Sequence, residues 1–259
     1  MARALVTGAG KRIGRAIALA LARRGYDVAV HYAGSGEAAE AVAAEIRAMG
    51  RNAALLRADL LQEDAAAGLV PAAMAALDGP LAVLVNNASI FEHDTIETAT
   101  RLSWDRHIES NLRAPFVLTQ AMAEAVPAPV PDAAGEPVAQ GLIVNMIDQR
   151  VRRPTPDFIS YMIAKSALWT LTQTTAQALA PRVRVNAIGP GPTLQGAHQT
   201  ADQFARQREA TLLQRGVNLA DITAALAYFI DANAVTGQLI CVDGGRSIDH
   251  RLQGDSGFE

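Results

Sequence analysis

The stretch Thr7-Gly8-Ala9-Gly10-Lys11-Arg12-Ile13-Gly14 lies between a short apolar run and a segment with apolar residues at helical spacing. Gly8 permits a tight turn, Gly10 lies in the loop, and Gly14 allows the helix to approach the strand closely. A diphosphate can bind there, because the unpaired N–H groups and the dipole of a helix N-terminus favour an anion. In this strand–loop–helix context the stretch predicts a dinucleotide site in an α/β fold, whereas alone it could be a plain glycine-rich turn.

Working outward from this loop, short β-type runs alternate with alanine-rich helical segments. This alternation predicts a Rossmann-type, doubly wound parallel sheet of about seven strands, with helices on both faces. The expected strands cover residues 2–6, 27–32, 53–57, 81–85, 141–147, 183–188 and 238–242. The expected helices cover residues 13–24, 37–49, 102–126, 156–180 and 219–230.

Two segments interrupt the alternation. Residues 127–140 are rich in proline and predict a surface loop, and residues 189–216 begin with Gly-Pro-Gly-Pro and continue polar. The second segment is a candidate lid over a substrate, because loops beyond strand ends carry function in this architecture. Since we find neither an internal repeat nor a linker, we predict a single domain over residues 1–259.

The bulk composition excludes several classes of partner. The chain has 259 residues, of which 50% are hydrophobic, and a formal net charge of −3, so it can bury a large core. We expect no nucleic-acid partner and no membrane span, because there is no basic run and no long apolar stretch. We identify no metal site. The single cysteine, Cys241, lies in an apolar run and is expected to be buried, and a reducing cytoplasm fits this composition.

A second group of residues suggests chemistry. Asp148 ends the apolar run at 141–147, and Tyr161 and Lys165 follow it on a predicted helix. Tyr161 and Lys165 are four residues apart and therefore share a helix face. An ammonium group near a phenol favours the phenolate, which makes the tyrosine a better acid–base group. Taken alone, the pair would be an ordinary buried aromatic residue and a surface lysine.

This Asp–Tyr–Lys spacing, together with the glycine loop, resembles the short-chain dehydrogenase/reductase family. Most members have serine where this chain has Asp148, and their TGxxxGxG motif has glycine where this chain has Arg12. The resemblance extends from Leu5 to Gly245, and further motifs carry it: Asp59-Leu60, Asn86-Asn87-Ala88-Ser89, Asn111, Pro190-Gly191-Pro192-Thr193 and Val242-Asp243-Gly244-Gly245. It implies a reductase with a nicotinamide cofactor. It also implies a homotetramer that pairs through the long helices at 102–126 and 156–180.

The predicted cofactor is NADPH. The end of the second strand, His31-Tyr32-Ala33-Gly34-Ser35, lacks the acid that would bind a ribose 2′-hydroxyl. A 2′-phosphate would instead meet Arg12, His31 and Ser35; the alternative is that the basic side chains are solvated and specificity is loose. The motifs and the resemblance together assign cofactor contacts to Gly8, Gly10, Arg12, Ile13, Gly14, His31, Tyr32, Ser35, Asp59, Leu60, Asn87, Ala88, Ser89, Tyr161, Lys165, Pro190, Gly191 and Thr193.

Asp148 bears on the substrate. A carboxylate opposes a developing alkoxide, whereas a carboxylic acid can protonate a basic nitrogen, so the residue favours reduction of a C=N bond. The aspartate resembles that of the pteridine reductases, as do Ser89 and Phe91, whose counterpart stacks on a pterin. The resemblance assigns catalysis to Asp148, Tyr161, Lys165 and Asn111, and substrate contacts to Ser89, Phe91, Asp148 and Tyr161. The plainer alternatives are that Asp148 caps the next turn and that Phe91 belongs to the core.

The sequence therefore predicts an NADPH-dependent reductase of a pterin or dihydrofolate C=N bond. One alternative is a carbonyl reductase of the same family, acting on 3-oxoacyl thioesters. Another is a nucleotide-binding regulator without turnover, against which the intact Tyr161, Lys165 and Asn111 argue. Arg150, Arg152 and Arg153 are expected near the cleft mouth, where a folate glutamate tail is one conceivable partner and solvent is the simpler one.

Overall fold

The computed structural model describes residues 2–196 and 199–250. A central sheet of seven strands has the order β3-β2-β1-β4-β7-β8-β9, and every neighbouring pair in it is parallel. Its strands are β1 Arg3–Val6, β2 Asp27–Tyr32, β3 Ala53–Arg57, β4 Val83–Asn86, β7 Gly141–Met146, β8 Val183–Pro190 and β9 Leu239–Val242. This confirms the predicted Rossmann-type fold.

Eight α-helices connect the strands in the described residues: α1 Arg12–Arg23, α2 Gly36–Ala48, α3 Glu63–Ala76, α4 Arg101–Ile108, α5 Ala114–Ala125, α6 Ile159–Leu179, α7 Ala201–Glu209 and α8 Leu219–Asp231. The strand order reverses between β1 and β4, because one half of the chain builds outward from β1 and the other from β4. In open parallel sheets a ligand binds at the carboxyl ends of the strands beside such a reversal.

The sheet buries a core on each face. On one face Ile17 of α1 and Phe229 of α8 pack with Val6, whereas Leu118 of α5 packs with Leu5 on the opposite face. Neighbouring residues of β1 thus serve opposite faces, as the two-residue period of a strand requires. Full burial of each large side chain contributes roughly 1.5–3 kcal/mol, so the two cores hold the strand ends, and the loops on them, in place.

The structure differs from the sequence-based elements in several places. Helix α3 was not predicted, because its alanine-rich sequence contains Gly68 and Pro71. The helix expected over 102–126 is divided by a π-helical turn at Glu109–Arg113. The expected loop at 127–140 contains a short hairpin of β5 Val130–Pro131 and β6 Pro137–Val138.

The expected lid segment at 189–216 contains α7 and is therefore partly helical. Residues 197 and 198 of that segment lie outside the described residues. Cys241 is only partly buried, and this burial raises the pKa of its thiol. Within the described part of the chain, no helix has the length and apolar character needed to cross a membrane.

Candidate functional site

A cavity of about 850 Å³ opens at the carboxyl ends of the strands. Its walls come from the loop after β1, the segments after β4, β7, β8 and β9, and the first turns of α6. The residues that line it include Arg12, Ile13, Asn87, Ser89, Phe91, Glu92, His93, Met146, Asp148, Arg150, Phe158, Tyr161, Lys165, Pro190, Gly191, Thr193, Gln207 and Arg246. The structure therefore brings most of the predicted site residues to one cavity.

Tyr161 and Asp148 are joined directly. The Tyr161 hydroxyl donates to Asp148 Oδ2 at 3.0 Å. Lys165 lies one turn further along α6, and its Nζ donates to the Met146 carbonyl at 2.8 Å and lies 5.7 Å from the centre of the Tyr161 ring. The three residues that the spacing singled out thus form one cluster at the end of β7.

The Lys165 ammonium is buried. Loss of solvent lowers the pKa of Lys165 to about 8, and the negative charge of Asp148 opposes this shift. At neutral pH the side chain therefore still carries most of its positive charge. That charge lies beside the phenol, where it favours the phenolate.

Asp148 has a second role, at the start of a 3₁₀ turn, Gln149–Arg152. Its Oδ1 accepts from the Arg150 backbone N–H at 2.8 Å, and the Arg150 guanidinium lies 3.2 Å from Oδ2. The capping role and the contact with Tyr161 had been alternatives in the sequence, and in the structure they occur together. Arg150 was expected near the cleft mouth, but it is buried against Asp148, with only 8% of its surface exposed.

Phe91 belongs to the cavity rather than to the core, because 49% of its surface is exposed. One face of its ring stacks on Phe158, with centroids 4.2 Å apart and planes at 8°. Its ring meets Tyr161 edge to face at 4.8 Å, and Arg150 lies 5.4 Å from its centroid. Sequence reasoning did not find Phe158, because nothing in the chain links it to Phe91 before folding.

Asn111 is fully buried in the π-helical turn. Its Oδ1 accepts from the Ile90 N–H at 2.9 Å, and its Nδ2 donates to the Ile90 carbonyl at 2.8 Å. These two bonds hold the segment that carries Ser89 and Phe91. The structure therefore shows the structural part of the expected role, and the relay part remains a prediction.

A buried network that the sequence did not suggest lies behind Tyr161. Ser160 Oγ donates to Asp94 Oδ2 at 2.5 Å, and His107 Nδ1 lies 2.6 Å from Ser160 Oγ. His107 Nε2 accepts from the Glu92 N–H at 3.1 Å, so neutral His107 carries its hydrogen on Nδ1 and donates it to Ser160. Burial lowers the pKa of His107, which favours this neutral form. The network ties the start of α6 to the Phe91–Glu92 segment.

At the other end of the cavity, the glycine loop has the close contacts that the motif predicts. A Cβ on Gly14 would lie 2.2 Å from the Gly8 carbonyl oxygen and 2.5 Å from Asn87 Nδ2. Gly8 has a φ of +62°, which favours glycine. Asn87 Nδ2 donates to the Thr7 carbonyl at 2.8 Å, and the Ala88 N–H donates to Thr7 Oγ1 at 2.9 Å. This cradle at the start of α1 fits a diphosphate.

His31 differs from the expectation of a direct phosphate contact. Its side chain is buried, its Nδ1 accepts from the Gly8 N–H at 3.0 Å, and its Nε2 bonds the Ala58 carbonyl at 3.1 Å. Burial lowers the pKa of His31, so its neutral form is favoured. Because both ring nitrogens are used in hydrogen bonds to the backbone, His31 holds the glycine loop in place at Gly8. Tyr32 and Ser35 follow at the end of β2, where the expected 2′-phosphate contact remains a prediction.

Arg12 is also placed differently from the adenosine side that was expected. Its guanidinium donates to the Gln195 carbonyl at 3.1 Å and the Leu194 carbonyl at 3.3 Å. Its backbone has a φ of +53°, the left-handed conformation that glycine adopts readily at this family position. Arg12 therefore spans from the glycine loop to the segment after β8.

The remaining predicted cofactor residues lie at strand ends. Gly191 is packed so closely that a Cβ there would lie 2.6 Å from Asp243 Cα, and Thr193 Oγ1 donates to the Gly191 carbonyl at 2.9 Å. Asp59 follows β3 and accepts from the Leu61 N–H at 3.1 Å, and Leu60 beside it is buried. Their roles toward a nucleotide remain predictions.

Comparison with known proteins identifies the family of this chain. The sequence model of the family described as short chain dehydrogenase matches residues 2–206. The chain is 33% identical to the 3-oxoacyl-(acyl-carrier-protein) reductase FabG of Staphylococcus aureus (strain Mu50 / ATCC 700699), over 93% of this chain and 96% of the relative.

Two solved structures are more similar in sequence. The FolM alternative dihydrofolate reductase 1 from Brucella canis, complexed with NADP, is 40% identical with a TM-score of 0.89, covering 98% of this chain and 97% of that one. The protein of the same description from Brucella suis, also with NADP, is 43% identical with a TM-score of 0.88, covering 96% of each chain.

Proposed function

The chain belongs to the short-chain dehydrogenase family, and from that premise we propose that it is an NADPH-dependent reductase of a pterin or dihydrofolate C=N bond. The observation that carries the proposal is the 3.0 Å hydrogen bond between Tyr161 and Asp148. A carboxylate beside the phenol opposes an alkoxide forming on a ketone oxygen. The C=N nitrogen of a dihydropterin is basic and takes up a proton as the hydride adds to carbon, so no anion has to form beside Asp148, and the ring N–H groups can donate hydrogen bonds to a carboxylate.

Each side chain of the site has a part in this reaction. Phe91, backed by Phe158 at 4.2 Å, provides a flat surface on which a bicyclic ring can stack, a contact worth about 0.5–1.5 kcal/mol beyond burial. Tyr161 and Asp148 share the hydrogen-bonded proton that the pair delivers to the ring nitrogen. Lys165 supports the phenolate that remains. NADPH, when bound, supplies the hydride.

Arg150 alters one detail of the role expected for Asp148. In the structure Asp148 accepts hydrogen bonds from both Tyr161 and Arg150. Tyr161 therefore stands as the immediate proton donor, with Asp148 orienting the phenol and accepting from a substrate N–H. Donation by Asp148 itself would require the carboxyl group to gain a proton despite the ion pair with Arg150.

The similar proteins support two substrate classes unequally. Those named alternative dihydrofolate reductase are 40% and 43% identical to this chain, and the one named 3-oxoacyl-(acyl-carrier-protein) reductase is 33% identical. Together with Asp148, the higher identities favour the pterin or folate reductase. Carbonyl reduction is the second candidate function, because a 3-oxoacyl-(acyl-carrier-protein) reductase is among the similar proteins.

NADPH is the cofactor that we propose for this chain. Support comes from the glycine cradle at the start of α1, from the absence of an acid in residues 31–35, and from the NADP in both similar solved structures. Acidic groups that bind a ribose hydroxyl would repel a 2′-phosphate.

A homotetramer in the cytoplasm remains part of the proposal. The helices expected to pair expose large apolar side chains, with Leu102 71%, Trp104 39% and Ile163 41% exposed. Exposed apolar side chains of this size are typical of contact surfaces. Light scattering at micromolar concentration should give the mass of four chains, and a monomer would contradict the assembly. The cytoplasmic location rests on the composition, with its single cysteine.

The test of the activity is an NADPH-oxidation assay with a panel of dihydropterins, dihydrofolate and acetoacetyl thioesters. We expect turnover of the first two classes and little of the thioesters. Ready reduction of thioesters with no turnover of any pterin would refute the pterin assignment. Absence of turnover with every compound, combined with tight NADPH binding, would support the non-catalytic regulator instead.

A further inference from the structure

A basic side chain on the cavity wall has no role in the proposed chemistry. Arg246 begins the short 3₁₀ turn Arg246–Ile248 that follows β9, and its half-buried side chain lines the cavity. In residues 2–196 and 199–250 the structure gives its guanidinium neither a hydrogen bond nor an ion pair. The side chain therefore faces the cavity with its donors available.

The turn that carries Arg246 is held firmly. The Asp243 carboxylate accepts from the Gly245 N–H at 2.9 Å and from the Ser247 N–H at 2.7 Å, and the Arg246 N–H donates to the Asp243 carbonyl at 3.2 Å. The same turn packs against the Gln149–Arg152 turn that follows Asp148. Arg246 is thus anchored next to the catalytic turn.

Other cations that line the cavity are already engaged. Arg12 donates to the carbonyls of Leu194 and Gln195, Arg150 pairs with Asp148, and Lys165 donates to the Met146 carbonyl. The two acids on the wall, Asp148 and Glu92, are each paired with an arginine, the second with Arg106 at 2.7 Å. Within the described residues, Arg246 is therefore a cavity cation available to an anion from outside the protein.

We infer that Arg246 is a subsite for a carboxylate on the substrate tail, which makes dihydrofolate rather than a neutral-tailed dihydropterin the preferred substrate. This inference rests on the proposed function. Guanidinium is the side-chain group that best matches a carboxylate, because its planar fork can donate two parallel hydrogen bonds. Dihydrofolate carries two glutamate carboxylates beyond its pterin ring, whereas dihydrobiopterin carries only hydroxyl groups there.

The experiment compares these two substrates in the wild-type enzyme and in Arg246→Gln, which keeps a polar side chain and removes the charge. We expect KM for dihydrofolate to rise about tenfold with kcat nearly unchanged, and KM for dihydrobiopterin to stay within about twofold. Arg23→Gln, an exposed change of the same charge on α1, should leave both substrates unaffected. The dissociation constant for NADPH, measured by fluorescence, should be the same in all three proteins.

Equal changes for both substrates in Arg246→Gln, or no change for either, would overturn the inference and leave the pterin reductase standing. A weaker NADPH complex in Arg246→Gln alone would place the residue in the cofactor site, which also overturns it. A wild-type enzyme that reduces neither substrate refutes both the inference and the proposed function.

Discussion

The two ends of the cavity are built in different ways. The predicted nucleotide end is formed around one continuous stretch, residues 7–14, of which Arg12 and Ile13 line the cavity, and the backbone contacts of this stretch leave no room for a Cβ on Gly14. The substrate end consists of side chains from separate segments, with Phe91 after β4, Asp148 and Arg150 after β7, and Tyr161 on α6. The first end is therefore vulnerable to added volume, and the second to a change of chemical group.

The largest expected effect is at the substrate end. Asp148→Ser should lower dihydropterin turnover by about 10²- to 10⁴-fold, because Tyr161 loses the carboxylate that orients its hydroxyl and the pterin N–H loses its charged acceptor. NADPH binding should change little, since the nucleotide end is untouched. Turnover is measured by NADPH oxidation, and binding by fluorescence titration.

Tyr161→Phe provides the comparison, because the phenol serves a pterin and a ketone alike. It should lower both activities by a similar factor, whereas Asp148→Ser should leave any trace of ketone reduction unchanged or increased. Intact dihydropterin turnover in Asp148→Ser would remove the carboxylate from the mechanism and reopen the carbonyl reductase hypothesis.

The next effect concerns the nucleotide end. Gly14→Ala places a Cβ 2.2 Å from the Gly8 carbonyl oxygen, so the loop must shift. Such overpacking typically costs about 1–3 kcal/mol. The free protein can relieve this strain by shifting the glycine loop, but NADPH binding needs the original loop geometry, so we expect the NADPH affinity to fall by about 10- to 100-fold. Thermal unfolding with and without NADPH measures both consequences.

Gly68→Ala is the matched control, since Gly68 also lies inside a helix and a Cβ there meets nothing within 4 Å. This change should stabilise the protein by roughly 0.5–1 kcal/mol, because alanine is the better helix former. Similar affinities for NADPH in the two variants would show that the glycine cradle does not hold the cofactor.

A third prediction concerns Lys165, which lies one turn along α6 from Tyr161. Burial lowers its pKa to about 8, so the ammonium is present below that pH and is lost as pH rises through it. With the charge gone, the phenolate loses its support, and kcat/KM should fall about tenfold per pH unit above this value. Because the charge of Asp148 raises the Lys165 pKa, the fall of kcat/KM at alkaline pH should begin at a lower pH in Asp148→Ser than in the wild type. If kcat/KM of the wild type falls only near the ordinary lysine pKa of 10.5, the assignment of this fall to the buried Lys165 ammonium is contradicted.

The same contrast explains what the sequence could predict. The glycine loop, all seven strands of the central sheet to within two residues at each end, and the Tyr161–Lys165 helix follow from local patterns, because turn geometry and hydrophobic periodicity act over a few residues. Helix α3 was missed because Gly68 and Pro71 obscure its pattern, although tertiary packing of Leu69 and Ala73 stabilises it.

The substrate end was only partly predictable. Asp148, Tyr161 and Phe91 carried a family signal and lie together, but the placement of Arg150 against Asp148 and of Phe158 against Phe91 depends on how distant segments pack. The Asp94–Ser160–His107 network also joins three segments that are distant in sequence, so no local pattern predicts it. His31 was misplaced for a related reason, since only the fold shows that its ring lies beneath Gly8.

The smallest expected effect tests cofactor preference at Arg12. The wild-type protein should bind NADPH at least about tenfold more tightly than NADH, a difference of about 1.4 kcal/mol. Because the Arg12 guanidinium contacts the Leu194 and Gln195 carbonyls, Arg12→Ala should weaken both cofactors by about two- to fivefold and leave their ratio nearly unchanged. Ser35→Asp, which adds an acid after β2, should instead reverse the ratio, because a carboxylate repels a 2′-phosphate and accepts from a ribose hydroxyl. Fluorescence titrations with both nucleotides measure these ratios. If Arg12→Ala abolishes the preference, its side chain reaches the 2′-phosphate in the complex, and equal affinities in the wild type would refute the NADPH assignment itself.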